Sequence, residues 1–190
     1  MALPPARTRD MSDSDPIQRT RQWVERIVIG LNLCPFAKAV AARGRIRYVL
    51  SAARSEDELL HDLVAELRHL ATTPADRDET TLLVHPGVLT DFLDYNDFLD
   101  IADAALQAED LEGEIQVASF HPDYRFADAE PEAIENHSNR SPYPMLHLLR
   151  ESSIDQAVAA YPDPDAIIER NKATLRTLGH AALRTLLNTP

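Results

Sequence analysis

Apolar residues recur at helical spacing in three stretches of the chain. The first stretch follows Asp15 and Pro16, residue types suited to the N-cap and the first turn of a helix. The second is leucine-rich and follows Ser55 and Glu58, which have the spacing of a capping box. The third spans about residues 90–108, where aspartates recur every third position on what we interpret as a solvated face. These patterns predict three amphipathic helices.

Three shorter stretches predict strands, because they are apolar, partly β-branched and bounded by polar or turn-forming residues. They comprise residues 45–50, 80–84 and 114–120. They alternate with the predicted helices, and a strand–helix–strand step favours a right-handed crossover between parallel strands. We therefore predict an α/β fold with a small, mostly parallel sheet of about three or four strands covered by helices, followed by a helical C-terminal part.

Helix signals continue after the third predicted strand. Ser141 and Pro142 suit the N-cap and first turn of a helix, and on that helix His147 and Glu151 would share one face. A last helix is predicted from about residue 163 to 187, with Gly179 as a weak point inside it. Residues 1–14 are rich in Pro, Ser and Asp and predict a disordered tail, and residues 15–190 predict a single α/β domain.

Composition disfavours several classes of function. Among 190 residues, 31 are acidic and 19 are Lys or Arg, so the formal net charge is -12 and nucleic acid is not expected as a partner. No apolar run has the length of a membrane span, and residues 1–15 contain no apolar segment typical of a signal peptide. The single cysteine fits a reducing compartment. We expect a soluble cytoplasmic protein without a membrane partner.

Two of the predicted strands run directly into a His-Pro pair, at His85 and at His121. Parallel strands end at the same edge of a sheet, and α/β sheets bind ligands beyond that edge. Both imidazoles could therefore move protons or bind a metal at one site, with Asp123 orienting the ring of His121. Alternatively, each ring satisfies backbone groups at its strand end.

Asn139, Arg140 and Ser141 form the predicted anion site, at the start of the helix predicted from Ser141. A guanidinium is a planar fork for carboxylate or phosphate, and free N–H groups at a helix N-terminus point at the same anion. Three neighbouring side chains are candidates for the lining of this pocket: Tyr124, Arg125 and Tyr143. The alternative is that Asn and Ser cap the helix while Arg140 pairs with one of the surplus carboxylates.

Cys34 precedes Pro35 and a predicted short helix over residues 35–43, so we expect it at the N-cap. The positive end of a helix lowers a thiol pKa, which makes Cys34 a candidate nucleophile with a histidine as its base. The alternative is a buried, inert side chain.

His121, His147 and Glu151 form the candidate metal set. Two histidines and a carboxylate are the ligands of many non-haem iron sites, so a single divalent metal such as iron or zinc is a possible cofactor.

Several motifs together resemble the domain-of-unknown-function 1415 family of bacterial proteins. They are VIGLNLCPFA at 28–37, ETTLL at 79–83, QVASFHP at 116–122, NRSPYP at 139–144 and HLLRE at 147–151. The resemblance extends over nearly all of the chain from about Ile17 and implies a shared fold without implying a reaction. One departure stands at His137 and Ser138, where the family has a small residue and Thr, which argues against His137 as a required ligand.

Three hypotheses about function follow. The first is a small cytoplasmic enzyme that acts on a small anionic metabolite at the end of the third strand, with Arg140 holding the anion and with His121, His85 and Cys34 as catalytic candidates. The second is a metal-dependent enzyme or metal-binding protein, and the third is a non-catalytic module that binds a ligand or another protein. Gly-rich phosphate loops, paired-cysteine zinc motifs and a serine nucleophile elbow are not found in the sequence.

Overall fold

The computed structural model describes residues 15–160, 163 and 166–188. The α-helices are α1 (Pro16–Trp23), α2 (Ala37–Ala42), α3 (Glu56–Thr72), α4 (Phe92–Ala108), α5 (Glu151–Ala159) and α6 (Ala166–Asn188). The strands are β1 (Ile46–Leu50), β2 (Thr80–Val84), β3 (Ile115–Phe120) and β4 (Met145–Arg150). A π-helical segment (Val24–Ile29) continues α1, and a 3₁₀ helix (Ile134–Ser138) precedes β4. The tail predicted for residues 1–14 lies outside the described residues.

The predicted helix starts are present where the sequence signals are strongest. An Asp15 carboxylate oxygen accepts a hydrogen bond from the amide of Ile17 at 3.1 Å. Ser55 Oγ accepts one from the amide of Glu58 at 3.3 Å. The carboxylate of Glu58 accepts one from the amide of Arg54 at 2.7 Å rather than from that of Ser55, so the capping box is shifted by one residue. α4 begins after Asp91, whose side chain caps it.

The four strands form one sheet in the order β1-β2-β4-β3. β1 and β2 are parallel, but β4 lies between β2 and β3 and is antiparallel to both. The α/β class is confirmed, whereas the prediction of a mostly parallel sheet is wrong. The error has one origin: residues 145–150 form a strand rather than part of a helix.

The helix predicted from Ser141 is absent because β4 must supply apolar side chains to both faces of the sheet. Leu146 and Leu148 pack into one core and Met145 into the other. Ser141 caps no helix, and its hydroxyl donates to the carbonyl of Tyr143 at 2.6 Å. A strand buried on both faces reads as a continuous apolar run, which periodicity cannot distinguish from a helix.

Two apolar cores lie on opposite faces of the sheet. α3 and α4 cover one face, where they meet Leu83 of β2, and the other core contains Leu82 and Val84 of β2 with residues of α1, the π-helical segment and α6. Consecutive β2 side chains point to alternate faces, so this strand serves both cores. The result is a three-layer arrangement of helices, sheet and helices.

α6 is kinked at Gly179, the weak point predicted from the sequence. Gly179 has φ 73° and ψ 159°, a conformation that is open essentially to glycine alone. Leu175 before the kink and Leu183 after it are both buried in the second core, so the kink lets both halves of α6 follow that face. Among the described residues, none of the helices has the length and apolar character of a membrane span.

Candidate functional site

His85 and His121 lie at the same edge of the sheet. β2 and β3 are both antiparallel to β4, so they run in the same direction and end on one side. Both imidazoles contact the ring of Tyr95, at centroid distances of 5.9 Å for His85 and 5.1 Å for His121. The Tyr95 hydroxyl donates to the carbonyl of Met145 at 2.8 Å and accepts from the amide of Phe120 at 3.0 Å. Tyr95, a buried residue of α4, thus holds this edge of the sheet in place.

Both histidines are fully buried and bonded to the backbone. Nδ1 of His121 accepts a hydrogen bond from the amide of Asp123 at 3.0 Å, so Nε2 carries the proton and faces the carbonyl of Leu89 at 3.3 Å. His85 Nδ1 donates to the carbonyl of Val88 at 3.1 Å. Burial lowers the pKa of both rings, that of His85 to about 4. Both imidazoles are therefore neutral and bond to backbone groups of the adjoining loops. This fits the alternative interpretation, in which each ring satisfies backbone groups at its strand end.

Arg140 anchors the polar loop between β3 and β4. Its Nε donates to the carbonyl of Tyr124 at 3.0 Å and its Nη2 to the carbonyl of Pro131 at 2.7 Å. Asn139 Nδ2 donates to the carbonyl of Ser119 at 3.2 Å. The anion site predicted at a helix N-terminus is therefore wrong in its architecture, because residues 139–141 belong to a loop that leads into a strand. Nη1 of Arg140 has no acceptor among the described residues.

A cavity of about 250 Å³ lies between that loop, the first helical segment and the end of α6. We call it the arginine cavity. Its lining residues are Arg19, Gln22, Trp23, Arg26, Ile27, Pro122, His137, Arg140, Ser141, Pro142, Leu186 and Leu187. Three arginines and a histidine thus line one small cavity, and none of the lining residues is Asp or Glu.

The cationic lining comes from different parts of the fold. Arg19 belongs to α1, Arg26 to the π-helical segment and Arg140 to the loop before β4. Arg19 Nη1 donates to the hydroxyl of Tyr143 at 3.4 Å, and its guanidinium lies 5.6 Å from the centre of that ring. Tyr143, predicted from the sequence as a pocket residue, therefore positions an arginine of the cavity.

Polar groups of His137 and Trp23 have no hydrogen-bond partner among the described residues. The ring nitrogens of His137 have no hydrogen-bond partner in the described part of the chain, and its ring lies 6.1 Å from that of His180. Burial, Arg140 and His180 lower the pKa of His137 to about 4, so this ring is neutral at pH 7. Trp23 is 5% exposed, and its indole Nε1 has no acceptor among the described residues.

Three predicted site residues lie elsewhere. Arg125 is exposed and outside the cavity lining, and Tyr124 packs its ring against Phe92 at 5.4 Å and Phe126 at 5.1 Å. α2 begins at Ala37, so Cys34 is not a helix N-cap as predicted; it is a half-buried free cysteine in the preceding turn.

The predicted pairing of His147 with Glu151 on one helix face is wrong. His147 lies within β4, whereas Glu151 begins α5 after the far end of that strand. Nε2 of His147 donates to Thr80 Oγ1 at 2.7 Å, since the Thr80 hydroxyl gives its own proton to the carbonyl of Leu148 at 2.6 Å. Burial lowers the pKa of His147 to about 4. Within the described ranges, no group of three His, Cys, Asp or Glu side chains is arranged to hold a metal ion.

Reasoning from sequence missed Arg19 and Arg26 as site residues and argued against His137. The sequence contains one signal for this cavity, in the first helical segment. Arg19, Gln22 and Arg26 recur at helical spacing there, next to the apolar Trp23 and Ile27. Polar residues at the border of an apolar stripe are ordinary on a surface helix. Their convergence with Arg140 depends on the loop and α6, which no local pattern reveals.

Comparison with known proteins gives one match. A family model described as a protein of unknown function (DUF1415) matches residues 15–185, which confirms the resemblance seen in the motifs. No curated protein and no solved structure matches the chain.

Proposed function

Since this chain belongs to the DUF1415 family of proteins of unknown function, we propose a function from geometry: it binds a small anionic molecule in the arginine cavity. One observation carries this proposal, namely that Arg19, Arg26 and Arg140 line one cavity of about 250 Å³ without a lining carboxylate.

The charge balance of the chain gives that observation its weight. With 31 acidic and 19 basic residues, an arginine has an ample choice of carboxylate partners. Arg47 forms a two-pronged ion pair with Glu66 at 2.8 and 3.0 Å, and Arg68 one with Glu109 at 2.6 and 2.7 Å. Arg19 and Arg140, in contrast, bond to a hydroxyl and to carbonyl groups among the described residues. Like charges that line one cavity repel one another, and a bound anion would relieve that repulsion.

Binding has more support than catalysis. Cys34, His85 and His121, the catalytic candidates from the sequence, are not among the cavity-lining residues. Proton transfer at a bound anion would fall to His137, which lines the cavity as a neutral imidazole at pH 7. The proposal is therefore a small-anion-binding protein, for which we expect a cytoplasmic location, with turnover as a second property to be sought at His137.

Isothermal titration at low ionic strength tests the proposal, with inorganic phosphate and short carboxylates as probes. Arg26→Gln should weaken binding by roughly tenfold to a hundredfold, because a charge-assisted hydrogen bond contributes about 1.5–3 kcal/mol. Arg125→Gln is the matched control, since it removes the same charge from an exposed position outside the cavity. Equal loss of affinity in both variants, or no binding of any probe to the wild type, would contradict the proposal.

A further inference from the structure

We infer that the ligand of the arginine cavity is a compact amphipathic anion, with one carboxylate or phosphate head group on a short apolar body. This inference rests on the proposed function and specifies its ligand class. It follows from the composition, the exposure and the size of the cavity lining.

The lining combines two kinds of surface. Half of its twelve residues are cationic or polar, as described above, and the other half are apolar: Trp23, Ile27, Pro122, Pro142, Leu186 and Leu187. Leu186 and Leu187 come from the last turn of α6, whereas Arg19 and Arg26 come from α1 and the π-helical segment. Different elements therefore supply the leucines and these two guanidinium groups.

An inorganic anion would satisfy the arginines and leave the leucines in water. Leu187 is 40% exposed, so its side chain still has apolar surface to bury. A ligand with an apolar body gains free energy from that burial, in proportion to the area removed from water. The imidazole of His137 adds a further polar group to the lining.

The volume limits the size of the ligand. A volume of 250 Å³ corresponds to about eight groups of the size of water, at about 30 Å³ each. A carboxylate or phosphate takes roughly three to five of these positions, which leaves room for about three to five carbon atoms. The cavity is also smaller than the pockets typical of drug-sized ligands.

Two homologous series test the inference on the full chain: unbranched carboxylates from acetate to octanoate, and n-alkyl monophosphates of the same lengths. Affinity should rise about three- to fourfold per added methylene, the value for complete burial of a CH₂ group. The rise should end at about four or five carbons, where the cavity is full. Binding by either series supports the inference, and the tighter series identifies the head group.

Leu187→Ser should flatten the dependence of affinity on chain length. Leu93→Ser is the control, because Leu93 is 63% exposed on α4 and does not line the cavity. Inorganic phosphate or acetate binding as tightly as the longer ligands would overturn the inference and leave the proposed function standing. A dependence on chain length that survives both Leu187→Ser and Arg26→Gln would place the apolar binding elsewhere and also overturn it. No binding of any anion would instead contradict the proposed function.

Discussion

Arginines of this chain have two different roles, which their partners distinguish. Arg150 Nη2 donates to the carbonyls of Leu70, Thr73 and Asp78, and so ties the end of β4 to the end of α3. Arg140 does the same for the polar loop, but it also lines the arginine cavity. A single residue type therefore holds backbone segments together at both sites, and at the second it also belongs to the cavity in which we propose that an anion binds.

Arg140→Gln is expected to lower the free energy of unfolding by about 1–3 kcal/mol, because it removes a part-buried charge-assisted bond to the carbonyl of Tyr124 and an exposed one to the carbonyl of Pro131. Chemical denaturation measures this change. Arg125→Gln, in the same loop but exposed, should stay within about 0.5 kcal/mol of the wild type. If Arg140→Gln also left the free energy of unfolding unchanged, the stability of the loop would not depend on those two bonds.

At the scale of elements, sequence patterns predicted most of the fold. The helices α3 and α4 and the strands β1, β2 and β3 lie within two residues or so of their predicted positions, because caps, periodicity and β-branched runs are local signals. β4 was missed because a central strand lacks alternation, and its identity is fixed by pairing with Thr80 to Val84 and with β3. The two His-Pro strand ends met as expected, whereas the arginine cavity required tertiary structure.

Gly179→Ala is expected to destabilise the protein by about 1–3 kcal/mol, since a side chain is strained at φ 73° and ψ 159°. The added Cβ meets no atom within 4 Å, so the cost comes from the backbone alone. Leu186 and Leu187 follow the kink, and anion affinity should fall as well. Thermal unfolding and titration together check both effects; an unchanged melting temperature would show that the kink does not require glycine.

For the whole molecule, buried histidines contribute to the response to acid. The pKa values of His85, His137 and His147 are each lowered to about 4 in the folded protein, mainly by burial. An unperturbed histidine has a pKa of about 6.5. As the pH falls below about 6.5, the unfolded chain binds protons at these histidines, whereas the folded chain does not. Stability is therefore full above that pH and is lost towards pH 4.

Urea denaturation at pH 7 and pH 5 measures this loss. For fully buried His85 alone the expected decrease is about 2 kcal/mol. His85→Gln should therefore be less stable at pH 7 but lose less stability between the two pH values. The same loss in the variant as in the wild type would show that His85 does not contribute to the acid sensitivity.

The net charge of the whole molecule is also expected to affect how fast an anion binds. The formal net charge of -12 repels an approaching anion, while the arginine cavity attracts it at short range. Added salt screens both interactions, the long-range repulsion included. Association is therefore expected to be slow for so small a ligand, and stopped-flow measurement should show an association rate that rises with ionic strength although affinity falls. An association rate that falls with salt would contradict a repulsive approach.

The most direct measurement uses Trp23, the single tryptophan of the chain, which lines the arginine cavity. Its indole N–H gives one resolved signal in a ¹H–¹⁵N spectrum, and this signal can be followed while pentanoate or inorganic phosphate is added. Anion binding in the arginine cavity predicts a saturable shift in the wild type and in Arg125→Gln, and a shift that requires far more ligand in Arg26→Gln. An indole signal that no anion moves, or that moves identically in Arg26→Gln, would contradict it.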